Sequence, residues 1–95
     1  MNIPFNFKVG KLYQFIDRSY NDFFYLVADS DYGNNRDYSY NDNNVLLLRE
    51  SFMLLDTGKS CKIYKRRIWI NVLSSQGFFG WFRVNLGWLE EIVDE

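Results

Sequence analysis

Residues 68–86 read IWINVLSSQGFFGWFRVNL, and this stretch decides the fold class. Ile68, Ile70 and Val72 alternate with Trp69, Asn71 and Leu73, the period of two that sends successive side chains to opposite faces of a strand. Ser74-Ser75-Gln76-Gly77 follows as a tight turn in which Gly77 supplies a positive φ, and Phe78 to Arg83 is the returning strand. Within that strand Gly80 lets a neighbouring side chain or backbone approach closely, and Trp81 brings a broad ring to cover apolar surface. Trp88 to Ile92 is expected as a short final strand.

Working outward, Ile63 and Ile68 are out of register for one straight strand, which predicts a turn or bulge near Lys65 to Arg67. Val45 to Glu50 and Phe52 to Asp56 are two apolar runs, read as buried strands or one long bent strand, with a turn at Thr57-Gly58-Lys59. Val9 to Asp17 and Phe23 to Ala28 read as further strands, and the turn chemistry of Arg18 to Asp22 predicts that they pair as a hairpin. Helical spacing is almost absent, and there are no internal repeats. Composition shifts at Asp29: Asp29 to Asn44 contains no Leu, Ile, Val, Met or Phe, so it has little to anchor it in a core. A loop of this length, beyond the usual limit of about 12 to 15 residues, is either functional or a solvated insertion.

The chain has 95 residues, enough for one domain spanning 1–95, and 47% of them are hydrophobic with a formal net charge of -1. Nine Phe, seven Tyr and three Trp supply large rings, which fill a small core with few side chains. Cys61 is the sole cysteine, so no intrachain disulfide forms and a reducing, cytoplasmic compartment is expected. The first eight residues lack the basic start and continuous apolar stretch of a secretory signal, and no run reaches the roughly 18 apolar residues of a membrane span.

The stretch from Ile68 to Leu86 resembles the distal hairpin and end of an SH3 domain: a Trp-bearing strand, a tight turn, and a return strand with Gly, an aromatic and an apolar residue. Gly80-Trp81-Phe82 stands where bacterial SH3-like domains carry Gly-Trp-Val, and Val84-Asn85-Leu86 matches their one-turn 3₁₀ helix. The likeness covers about 25 residues well and the rest in strand order. It implies an all-β, SH3-like small barrel of about five to seven strands, here with a long polar loop at 29–44. In peptide-binding members a Tyr-rich first strand, a Trp, and a Pro and Tyr near the 3₁₀ turn form the ligand groove; by resemblance Tyr13 and Trp69 match two of these. Arg83 and Leu86 occupy the Pro and Tyr positions, which tells against proline-rich ligands. The compact, Asn-rich design is also similar to small SH3-like proteins encoded by tailed bacteriophages, for which the compartment would be the host cytoplasm.

Catalysis finds little support. There is no His, Cys61 has no His partner, and Ser60 beside Lys62 is a chance neighbour in a basic segment. Asp29, Asp31, Asp37 and Asp42 offer oxygen ligands, yet Gly33 comes one position too early for an EF-hand and Tyr40 stands where its bidentate Glu belongs, so no metal or other cofactor is expected. Two surfaces remain. Tyr32, Tyr38 and Tyr40, set among Asn, Asp and Ser, have the composition of adaptable recognition loops, and a protein partner fits them best. Lys59, Lys62, Lys65, Arg66 and Arg67 put five cations in nine residues around Tyr64, which reads either as a nucleic-acid patch or as a solvated flank that guards an edge strand. The expected function is a non-catalytic protein-interaction module, such as a phage-encoded accessory protein, with a nucleic-acid adaptor and a homo-oligomeric structural protein as alternatives.

Overall fold

The computed structural model describes residues 7–18, 22–28, 44–60 and 66–93. Within them lie seven strands: β1 (Leu12–Phe15), β2 (Phe23–Tyr25), β3 (Val45–Leu47), β4 (Phe52–Ser60), β5 (Arg67–Ser74), β6 (Phe79–Asn85) and β7 (Leu89–Glu91), with a 3₁₀ turn at Leu86–Trp88. The fold is all-β. Strands β6-β5-β4-β1-β7 form one sheet in that order, and β2-β3 form a second. This is an open pair of sheets rather than a closed barrel, since among the described residues β6 and β7 end the main sheet without pairing to each other.

Alternation explains the layering. In β1 Tyr13 and Phe15 turn inward, in β4 Phe52 and Leu54, in β5 Ile70 and Val72, and in β6 Phe82 and Val84. Four phenylalanine rings tie the two sheets together: Phe15 lies 5.5 Å from Phe24, 5.7 Å from Phe52 and 6.3 Å from Phe82, and Phe24 lies 5.1 Å from Phe82. On the opposite face the strand registers align Leu12, Met53, Leu73 and Phe79 in one row.

Three expectations change. β1 does not form a hairpin with β2. Both of its edges are taken, by β4 and β7, while β2 pairs with β3 from Phe23↔Leu47 to Tyr25↔Val45. Thr57, Gly58 and Lys59 do not turn the chain but lie within β4, whose pairing with β5 slips between Leu54 and Asp56 and again between Thr57 and Ser60. A glycine in a strand commonly marks such a bulge, and bulges bend the strand. The 3₁₀ turn begins at Leu86 rather than Val84, because Val84 is buried in β6 opposite Ile68 and Asn85 caps the turn, its Oδ1 accepting from the Gly87 N–H at 2.9 Å.

The hairpin reading holds. Gly77 has φ 91°, and Ser74 and Phe78 close the turn through Ser74 N–H to Phe78 O at 2.7 Å. Gly80 holds the second sheet against the first: Val27 and Trp81 exchange backbone hydrogen bonds of 2.9 and 2.8 Å, and a Cβ on Gly80 would stand 2.8 Å from Leu26 Cβ and 2.9 Å from the Val27 carbonyl oxygen. Gly80→Ala is therefore expected to push residues 26–27 off β6, destabilising the fold by about 1–3 kcal/mol, with faster amide exchange at Val27 and Trp81 than at Ile70 as the signature.

Glu50, only 8% exposed, joins the turn after β3 to the β5–β6 hairpin. Its carboxylate accepts from Leu47 N–H (2.8 Å), Ser75 N–H (3.0 Å), Ser75 Oγ–H (2.8 Å) and Gln76 Nε2–H (3.4 Å). Replacing Glu50 by Ala removes the acceptor for two backbone donors at once, with an expected loss of roughly 2–3 kcal/mol in urea unfolding.

Candidate functional site

Consecutive apolar residues cannot all face inward on a strand, and Phe15-Ile16 at the end of β1 is such a pair. Phe15 enters the core and Ile16 stays exposed. The Ile16 N–H donates to the Trp88 carbonyl at 2.9 Å, which sets the end of β1 against the 3₁₀ turn. An open groove of about 430 Å³ forms where these meet the second sheet, lined by Phe15, Ile16, Asp17, Phe24, Leu48, Gly87 and Trp88. Among the described lining residues Asp17 is the one that carries a charge.

Phe24 is the hinge between groove and core. Its ring stacks on Phe15 at 12° and meets Trp88 at 6.5 Å and 27°. The Arg67 guanidinium lies 4.8 Å from the centre of the Trp88 ring, a separation at which a cation is drawn to an indole face. A second such pair, Arg83 over Trp69 at 5.3 Å, lies on the outer side of β5–β6, where Trp69 and Arg83 are cross-strand partners. The positive φ of Arg66, 69°, marks the turn into β5 that the sequence predicts at this point.

Tyr13 and Trp69, placed on the binding surface by resemblance, are 0% and 2% exposed and present no ring to solvent. Tyr13 pairs across from Phe52 and points into the core, its hydroxyl accepting from the Lys8 N–H at 2.8 Å. Trp69 packs with Val27 and Trp81 on the other face. Tyr32, Tyr38, Tyr40, Lys62, Tyr64 and Lys65 lie outside the described residues. Lys59 belongs to β4, Arg66 is exposed, and Arg67 is half-buried beside Trp88. Among the described residues no group of three or more His, Cys, Asp or Glu could hold a metal ion, and no helix is long and apolar enough to cross a membrane.

The groove residues Ile16, Phe24, Leu48 and Trp88 were not legible as a site, although two signals existed. One is the Phe15-Ile16 pair, and the other is an aromatic directly after Gly87 in a turn, where no strand alternation can bury it. Compared with known proteins, the chain matches no family model, no curated protein and no solved structure.

Trp88 is 37% exposed against 2% for Trp69 and 6% for Trp81. Acrylamide is expected to quench one tryptophan readily and leave two protected, and Trp88→Phe should remove the accessible fraction. A wild-type emission quenched uniformly would contradict this arrangement.

Proposed function

We propose that this chain is a non-catalytic protein-interaction module built on an SH3-like arrangement of two open sheets, and that it takes a short segment of a partner protein in the groove beside Trp88. The observation that carries the reading is the groove itself: a concave, largely apolar surface with a half-exposed tryptophan, the kind of site in which buried aromatic anchors concentrate binding energy. Support for the SH3-like part comes from the strand order β6-β5-β4-β1-β7, the tight β5–β6 hairpin, and a 3₁₀ turn before the last strand.

The test is site-specific photocrosslinking in lysates of the source organism. A benzophenone side chain at Leu48, inside the groove, is expected to capture a protein, whereas one at Phe79, which is 66% exposed on the outer row, is not. Equal capture from both positions, or capture from Phe79 alone, would sink the assignment. Salt-sensitive binding of labelled single-stranded DNA, weakening markedly between about 50 and 200 mM salt, would instead favour the basic stretch from Lys59 to Arg67.

A further inference from the structure

The two ends of the main sheet differ in what covers their backbone. At β6, Trp81 exchanges two backbone hydrogen bonds with Val27, so that edge is taken near its centre. At β7 no strand or bridge lies on the outer side among the described residues. The β1–β7 register fixes which groups point that way. Ile16 N–H donates to Trp88 O and Ile92 N–H to Leu12 O, both at 2.9 Å, with Tyr13 opposite Glu91 between them. Hydrogen-bonded and non-bonded residues alternate along an antiparallel pair, so Trp88, Glu90 and Ile92 face β1, and Leu89, Glu91 and Val93 turn their main-chain groups outward. The Leu89 N–H is used by the Leu86 carbonyl within the 3₁₀ turn. Glu91 and Val93 are exposed, Val93 at 69%, so their N–H groups and the Glu91 carbonyl stand on an open edge.

An outward row of main-chain donors and acceptors matches an extended chain that adds a strand. A second copy is a poor occupant, because edge-to-edge pairing through β7 would bring Glu90 and Glu91 of one chain against those of the other, and like charges placed opposite oppose pairing. A strand carrying a cation meets the reverse situation. Glu90 is already engaged, accepting from Gln14 Nε2 at 3.3 Å, while Gln14 Oε1 accepts from Arg18 at 2.9 Å. Among the described residues no such contact engages the exposed Glu91 carboxylate. The open edge also adjoins the groove, since β7 starts at the residue after Trp88, a groove wall.

We propose that the partner segment held in the groove runs on along β7 as a sixth strand of the main sheet, its main chain paired with Glu91 and Val93 and a Lys or Arg set opposite Glu91. This rests on the reading of the groove as a partner-protein site and adds the conformation and charge of the segment. It differs from a proline-rich ligand in needing backbone N–H groups.

A displayed library of random peptides about twelve residues long, roughly 40 Å when extended, is selected on the wild-type chain, on Leu48→Asp and on Glu91→Lys, each checked for a matching melting temperature. Wild type is expected to enrich peptides with Lys or Arg at a fixed spacing from a large apolar residue, and Glu91→Lys to enrich Asp or Glu at that place. A synthetic wild-type-selected peptide should slow amide exchange at Glu91 and Val93 by about tenfold or more, and leave Ile92, already bonded to Leu12, little changed. Glu91→Pro removes an N–H that the β1–β7 ladder does not use, so the chain should fold and bind this peptide about tenfold more weakly. Methylating the peptide's backbone nitrogens one at a time gives a reading that leaves the chain unaltered, with losses expected at alternate positions. Unchanged exchange at Glu91 and Val93 on binding, or binding insensitive to both Glu91→Pro and methylation, overturns the added strand and leaves the groove standing. The same sequences enriched on Glu91→Lys overturn the charge assignment. Peptides that bind Leu48→Asp as tightly as wild type but fail on Glu91→Pro overturn the groove and leave the edge, and no enrichment on wild type overturns both.

Discussion

Four phenylalanine rings carry the architecture. Phe15, Phe52 and Phe82 come from three strands of the main sheet and Phe24 from the second, with ring centres between 5.1 and 6.3 Å apart in every contacting pair. Aromatic pairs at these distances gain beyond their buried area, and here they join sheets that, among the described residues, share one backbone bridge, Val27↔Trp81. The cluster also explains the position of the groove. Phe24 is the one member left partly open, and its outer side continues into the surface beside Trp88. Core and groove are two sides of the same ring.

Polar groups do a separate task, fixing turns that the rings alone would leave loose. From the turn after β3, Glu50 draws donors from the last residue of β3 and from the β5–β6 hairpin onto one carboxylate, and Ser74 Oγ accepts from Gln76 N–H and Phe78 N–H within that hairpin. Asn85 does the same for the 3₁₀ turn. Trp88 is therefore held by a capped turn on one side and by the Ile16 hydrogen bond on the other, so the groove wall is preorganised, which lowers the ordering entropy of any binding event.

What the sequence made legible was local. The β5–β6 hairpin, the positive φ at Gly77 and the close approach at Gly80 follow from residues within a few positions of one another. The partner of β1 did not, because Tyr13 and Phe15 would complete an apolar face beside any strand of matching period, and only the assembled sheet shows that β4 and β7 claim both edges. Gly58 misled for a related reason: the same residue that opens a turn also permits a bulge, and the choice is made by β5 alongside it. Tyr13 and Trp69 were assigned to a surface by their likeness to positions in a family, whereas strand parity buries one in the core and the other beneath its neighbours on the opposite face.

The pairing of β1 with β7 has a consequence for how such a unit can be used. Ile92 donates its N–H to the Leu12 carbonyl at 2.9 Å, so polypeptide enters and leaves the main sheet at adjacent points. Units with neighbouring entry and exit tolerate being spliced into a surface loop of a host domain, or having those ends joined and new ones opened elsewhere. The fold can therefore serve as a cassette: a peptide-sized groove carried on a scaffold that asks of its surroundings only a gap the width of two strands.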